Sequence, residues 1–347
     1  MTRKFFKIFY KASIVKNPPP QNYKEADLPL FKTNFEIQLP DSGLQILNRV
    51  FVTDLGIIYK NFSSVKENIV CYTLDFKNYR FRYLLKSFLT FKKRIYRGGK
   101  CVIVFDNYSG PNGFAHWICD GLTRLAELSE TIHEYTLIVP AYFKDQGVYT
   151  ESLKLFNITN IHYLPKNSIT YFKTLHFPSP IGDTGNFHPE NVNKLRKLAE
   201  SKLQLSFSSP RNIYVSRAKA KRRFVENEQE VTELLANYGF EVIFLEDHPF
   251  SDQVKIVHNA ANIISIHGAA LAMLLFAKEN SQVLELRNVA DATNNMYYLL
   301  ANVCQLSYYY LNCHGIEKSK NANNFNLKVD VRELEATLQH MNLEKSK

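Results

Sequence analysis

From residue 212 onward the chain alternates between short apolar runs and amphipathic stretches, and this alternation limits the possible folds more than any other feature. The runs at 212–216, 241–245, 263–266, 282–286 and 306–311 have the length and content of buried strands. Between them, 228–238, 250–260, 267–278 and 294–303 carry the helical repeat, and 331–341 reads as a closing helix. Gly239 supplies a helix stop and Ser251 an N-cap. Apolar strands separated by helices imply a parallel sheet covered on both faces. In such sheets ligands lie beyond the carboxyl ends of the strands, so the residues just after each strand are the ones to inspect.

The first half is less regular. Strands are expected at 102–105, 136–139 (ended by Pro140), 161–164 and 168–177, and helices at 114–129 and 149–157. Pro189 opens a long helix to about 203, with proline in its first turn. Pro18, Pro19 and Pro20 break any helix near the start, and 35–39 alternates like a strand, but residues 1–65 otherwise yield little. The polar stretch 206–210 marks a boundary. A chain of 347 residues suits two domains. The expected organisation is α/β, with one domain at 1–205, a second at 206–325 and a closing helix at 326–347.

The formal net charge is +10, and the densest basic cluster is Lys219, Lys221, Arg222 and Arg223. Charge of this kind suits a phosphate-bearing or acidic partner: a nucleoside diphosphate, a nucleic acid or an anionic lipid. A solvated surface is the plain alternative, and no nucleic-acid recognition motif is present. The five cysteines are scattered without a C-x-x-C pair, which argues against a disulfide framework or structural zinc and for a reducing compartment. No run approaches ~20 apolar residues. The basic, aromatic N-terminus is too interrupted by lysine to be a signal-peptide core, though it suits contact with an anionic membrane surface. The chain lacks the G-K-[ST], H-E-x-x-H, D-x-D and G-x-S-x-G signatures of nucleotide hydrolases, zinc proteases, metal-dependent sugar transferases and α/β-hydrolases.

Four constellations carry possible chemistry. Residues 263–271 run from a strand into a small-residue turn, where His267, Gly268, Ala269 and Ala270 allow close approach of an anion to backbone N–H groups. Arg217 follows the strand at 212–216, and Arg222 and Arg223 lie in the loop behind it; guanidinium forks match diphosphate oxygens. On the 114–129 helix, 114, 117, 118, 121, 122, 125 and 128 form the apolar stripe, and His116, Asp120, Thr123, Arg124 and Glu127 the opposite face. His116 and Asp120 are four apart, so their side chains meet and provide a base or an oriented pair. Trp117 reads as core or as a sugar platform. Glu285, near the end of its strand, suits ribose hydroxyls or a structural ion pair; Glu246 and Asp247 are a weaker version.

Taken in order, these segments resemble glycosyltransferase family 61, a group once described as capsular polysaccharide biosynthesis proteins. The resemblance covers roughly 100–310 and rests on Asn112-Gly-Phe-Ala-His116-Trp117 with Asp120, Arg124 and Leu125; on Tyr214-Val-Ser-Arg217 with Arg222, Arg223 and Asn227-Glu228; on Leu245-Glu246 and Phe250-Ser-Asp-Gln253-Val; and on His267-Gly-Ala-Ala-Leu271 with the strand that follows. Thr123 stands where the family usually has proline, Met273 where asparagine often occurs, and Asp252 where glutamate is usual.

The resemblance implies a GT-B-like fold, two Rossmann-like domains facing a cleft, and inverting sugar transfer without a metal or other cofactor. The donor is a nucleotide-sugar, UDP favoured by resemblance alone, and the acceptor a saccharide or lipid-linked saccharide in cell-surface or capsular polysaccharide assembly. Asp120, working with His116, is then the candidate base. Arg217, Arg222, Arg223, His267, Gly268, Ala269, Ala270 and Glu285 are candidates for the donor site, and Asn112, Trp117 and Arg124 for the acceptor or cleft. A cytoplasmic location, with peripheral contact at the inner membrane face, is the expected setting. A non-catalytic nucleotide-binding or regulatory protein is the alternative; a nucleic-acid-binding role rests on charge alone.

Overall fold

The computed structural model describes residues 5–66, 69, 81–110, 113–220, 222–291, 293–316 and 326–346. Asn112, Lys221 and Cys71 lie outside these residues. The chain divides into two compact units, one of residues 1–14 and 38–202, the other of 15–37 and 203–347. The division falls close to the polar break read from the sequence, but residues 15–37 belong with the second unit, as does the closing helix.

The first unit is built on a mixed sheet in the order Ile161–Leu164, Thr136–Pro140, Cys101–Ile103, Ser168–Pro178, Ser42–Thr53, Ile58–Lys60 and Ser63–Ser64. The first four strands are parallel, and the rest pair antiparallel through the long Ser42–Thr53 strand. This departs from a wholly Rossmann-like half. Only the chain from 101 to 164 alternates strand and helix, and a 12-residue strand paired to its neighbours needs no crossover. Lys7–Tyr10 pairs antiparallel with the start of Ser42–Thr53, so the basic aromatic N-terminal stretch is part of this sheet. Its Tyr10 hydroxyl donates to Glu127 at 2.5 Å.

The expected helix at 114–129 is interrupted. Phe114–His116 and Leu122–Ala126 are α-helical, but Trp117–Gly121 is a π turn. Trp117 explains the register: its ring is fully buried against Phe143 and Tyr149, and its indole N–H donates to Ser152 Oγ at 2.9 Å. The wider turn carries one extra residue per hydrogen bond, a device found often at functional sites. Thr123 Oγ donates to the carbonyl of Cys119 at 2.6 Å, supplying a donor inside the interrupted stretch.

The second unit holds a six-stranded sheet in the order Phe240–Ile243, Arg211–Val215, Ala260–Ile266, Gln282–Asn288, Ser307–Ile316 and Asn326–Lys328. The first five strands are parallel and the last antiparallel. Helices Glu228–Ala236, Phe250–His258, Met296–Val303 and Val331–His340 cover it. Tyr214, Val231, Leu235, Ile264, Leu284, Leu334 and Leu338 form its core. Gly239 takes positive φ (71°) just beyond its helix, as a C-terminal stop requires. Pro249, not Ser251, precedes the first turn of Phe250–His258.

Residues 15–37 close an edge of this sheet. Gln21 N–H donates to Tyr308 O, and Asn22 exchanges hydrogen bonds with the backbone of Tyr310. Phe31, fully buried, packs against Tyr298 and Tyr310. A covered edge offers no template for pairing with another chain. Among the described residues no helix is long and apolar enough to cross a membrane.

Candidate functional site

In the second unit the chain order of the strands is 2-1-3-4-5-6, so neighbouring crossovers leave in opposite directions between Arg211–Val215 and Ala260–Ile266. The crevice at such a switch point is where open parallel sheets bind ligands. Ser216-Arg217 and His267-Gly268 follow these two strands directly. A methyl group added at Gly268 would meet Arg217 Nη1 at 3.1 Å, so the glycine leaves room for the Arg217 side chain to pass close to the turn. Arg217 Nε donates to the carbonyl of Arg223 at 3.1 Å, folding the basic loop back over its own start, with Arg223 at φ 56°.

Arg217 and Arg223 are half-buried, and among the described residues neither has a carboxylate partner. Burial first lowers the pKa of both guanidiniums, with repulsion from Arg223 and Arg222 adding to it at Arg217 and from Arg222 at Arg223. Arg223 Nε is buried with no hydrogen-bond partner. Glu246 near Arg217 and Asp291 near Arg223 offset part of the burial cost without forming an ion pair with either guanidinium. Arg222 is exposed on the same loop. Lys219 pairs with Asp247 at the surface.

His267 is held from behind. Its Nδ1 contacts Glu285 Oε1, and Tyr308 O–H donates to Glu285 Oε2 at 2.5 Å. Arg287, fully buried, donates to Asn295 Oδ1 at 2.8 Å and lies beside Tyr308. Burial alone would raise the Glu285 carboxyl, but His267, Arg287 and Tyr308 hold it below its usual range. This corrects the reading of Glu285 as a ribose ligand: it is fully buried and both its oxygens are taken, so it orients the imidazole instead. The segment after His267 also differs from the expected α-helix. Ala269–Phe276 is a 3-10 turn, apolar all round and buried from Leu271 onward. Ala269 and Ala270 stay partly exposed at its start, and Met273 is in the core.

In the first unit a pocket of about 390 Å³ is lined by Asp106, Asp120, Arg124, Thr184, Asn186 and Asn191, among others. His116 Nδ1 lies 3.0 Å from Asp120 Oδ2, and Thr184 Oγ donates to the same oxygen at 3.0 Å. Burial alone would lower the His116 pKa, but the Asp120 carboxylate raises it above the ordinary value. The ring also meets Tyr108 edge-on at 4.9 Å. The pair expected from spacing is therefore formed, with Asp120 as the member that lines the pocket.

The opposite face of that segment is not a solvated one. Arg124 is 2% exposed, its Nη2 2.7 Å from Asp106 Oδ2 and its Nε donating to the Asp120 carbonyl at 2.9 Å. Asp106 Oδ1 in turn accepts from the N–H groups of Tyr108 and Ser109. The Asp106–Arg124 pair thus ties the loop that carries Tyr108 to the π turn that carries Asp120. Trp117, offered by the sequence as core or as a cleft residue, is fully buried in the core. Asn112 lies outside the described residues.

Asp106 escaped the sequence reading although it follows an apolar run just as Arg217 and His267 do. Thr184 sits in a loop without periodicity and gave no signal.

A family model described as Glycosyltransferase 61 matches residues 114–284. Over these residues, just under half of its length, the chain is similar to the Glycosyltransferase 61 family. The match runs from the segment bearing His116 and Asp120 to the strand bearing Glu285. Curated relatives include protein O-linked-mannose beta-1,4-N-acetylglucosaminyltransferase 2 of Xenopus laevis, 30% identical over 132 residues, or 36% of this chain and 23% of that protein. The human and mouse proteins of that name are 37% and 36% identical over 73 and 72 residues. These shorter matches cover 20% of this chain and 12% of each relative. The chain spans under a quarter of the length of the relatives it matches.

Proposed function

We propose that this chain is a glycosyltransferase that moves a sugar from a nucleotide-sugar to a saccharide acceptor in a single inverting displacement. The observation that carries the reading is the pair Arg217 and Arg223, two half-buried guanidiniums without carboxylate partners at the switch point of a parallel sheet. A nucleoside diphosphate supplies the missing negative charge. In the transition state that charge grows on the leaving diphosphate, and fixed cations stabilise it more than they stabilise the bound donor. His267, oriented by Glu285, adds a donor beside them. This set of residues performs the charge stabilisation without calling on a metal.

The acceptor hydroxyl must lose its proton as the new bond forms. Asp120 is the base in this reading, with His116 and Thr184 fixing its carboxylate; the proton passes to Asp120, and the imidazole beside it shares the change in charge. An inverting mechanism needs one base and no covalent intermediate, which is what a single pocket-facing carboxylate offers. The two units then correspond to the two domains of a GT-B-like enzyme. Resemblance to the family favours a uridine diphosphate sugar, and the relatives' name makes N-acetylglucosamine the first sugar to try. The acceptor belongs to the chemistry of cell-surface glycans, free or lipid-linked.

The test is a transfer assay with UDP-, GDP-, CMP- and dTDP-sugars, with EDTA present, against a panel of saccharide acceptors. The reading expects release of one nucleotide coupled to glycoside formation, inverted at the anomeric carbon and absent in Asp120→Asn. Turnover that survives Asp120→Asn, or a product with retained configuration, contradicts it.

A further inference from the structure

We propose that residues 81–97 form a docking face for an anionic membrane surface. The inference does not depend on the sugar-transfer reading, since it concerns only the first unit's exterior. Helix Phe81–Thr90 buries Leu84 and Ser87 and packs Tyr83 and Phe88 on the cluster that contains Ile57, Tyr59 and Ile169. An ordinary surface helix would be polar on its other side. Here Phe81, Leu85 and Leu89, spaced four apart and hence aligned, are 55%, 48% and 76% exposed. The strand that follows, Lys92–Ile95, is exposed at all four residues, with Ile95 at 61%.

The charge of this stretch selects the partner. Between residues 81 and 105 the sequence contains Arg82, Lys86, Lys92, Lys93, Arg94, Arg97 and Lys100 and no Asp or Glu. Among the described residues only Lys100 of these holds an ion pair, with Glu134. Large apolar side chains interleaved with basic ones suit an interface where the former enter the acyl boundary and the latter meet headgroups. Basic residues near an anionic leaflet contribute about 1 kcal/mol each, or about fivefold in partitioning. A nucleic acid would use the bases but leave Phe81, Leu85 and Leu89 without a role.

The experiment is co-sedimentation of the full chain with vesicles of phosphatidylcholine alone and of phosphatidylcholine mixed with phosphatidylglycerol. Binding is expected to the mixed vesicles only, and release at high salt. The combined Lys92→Glu, Lys93→Glu and Arg94→Glu variant is expected to partition about 100-fold less, from three such contributions. Leu85→Gln with Leu89→Gln is expected to lose about tenfold or more. All five side chains are exposed, so an unchanged thermal midpoint verifies folding. No binding to the mixed vesicles, or equal binding by both variants, overturns the proposal. So does an oligonucleotide bound through these residues while vesicles are ignored, or a solution dimer broken by the leucine substitutions.

Discussion

Arg124 in the first unit and Arg217 in the second are both arginines withdrawn from water beside a candidate site, and their surroundings are opposite. Arg124 is 2% exposed and paired with Asp106 at 2.7 Å, its charge cancelled within the protein. Arg217 sits half-buried with Arg223 and no carboxylate partner among the described residues. The first arrangement satisfies itself and so builds structure. The second leaves its guanidiniums without an ion-paired carboxylate, and this is the feature on which the proposed donor site rests. The same residue type thus forms a closed ion pair in one unit and, in the proposed function, an anion-binding group in the other.

The largest expected effect lies on the chemistry. Asp120→Asn should lower turnover about 1000-fold, within the usual range for removing a general base, and leave nucleotide affinity unchanged. His116 sits above its ordinary 6.5 because of Asp120. The active pair needs that proton gone, so kcat/KM should rise with pH through a value above 6.5, and His116→Gln should abolish this limb. A pH profile on the natural chain and His116→Gln checks both points.

Next in size is stability, and here the two arginines should part. Arg124→Met leaves Asp106 buried and unpaired, which should cost about 3–5 kcal/mol in denaturant unfolding. Arg217→Met removes a repelling cation and should leave stability within about 1 kcal/mol of the original, or raise it. Equal losses in the two variants would break the comparison. Because Arg124 fixes the Asp120 carbonyl, Arg124→Lys should also lower kcat more than it raises KM.

Binding comes third. Arg217→Ala and Arg223→Ala should each weaken a nucleoside diphosphate by about 10- to 100-fold, the range for one charged hydrogen-bonding group, whereas Arg124→Lys should not. The smallest effect concerns Glu285, whose folded-state carboxyl is held below the usual 4.5. Its contribution to stability is present above the unfolded value and is lost as pH falls through the folded one. The difference in stability between the natural chain and Glu285→Gln should therefore be flat above about pH 5 and shrink below it. Unfolding measured across that range checks the sign.

Much of the second unit was legible because period and length agree there. Each strand from Arg211–Val215 to Ser307–Ile316 lies within a few residues of its apolar run, and the switch-point rule leads straight to Arg217 and His267. The first unit was harder for physical reasons. Its long antiparallel strands have no crossover helices to punctuate them, and residues 15–37 find their partners nearly 300 positions away, as in Asn22 with Tyr310. The helical wheel for 114–129 assumed an even repeat, which the π turn at Trp117–Gly121 breaks, so Arg124 moved from an expected open face into a buried ion pair. Glu285 was misread because strand position does not tell which side of the sheet a carboxylate occupies, or that His267 and Tyr308 would claim both its oxygens.

The most direct test of the central claim is calorimetric titration of UDP, then GDP, CMP and dTDP, into the natural chain, Arg217→Ala and Asp120→Asn, all in EDTA. The account predicts that at least one nucleotide binds the natural chain and Asp120→Asn alike, and binds Arg217→Ala at least about tenfold more weakly. Binding unchanged by Arg217→Ala, or no binding of any of the four, would contradict it.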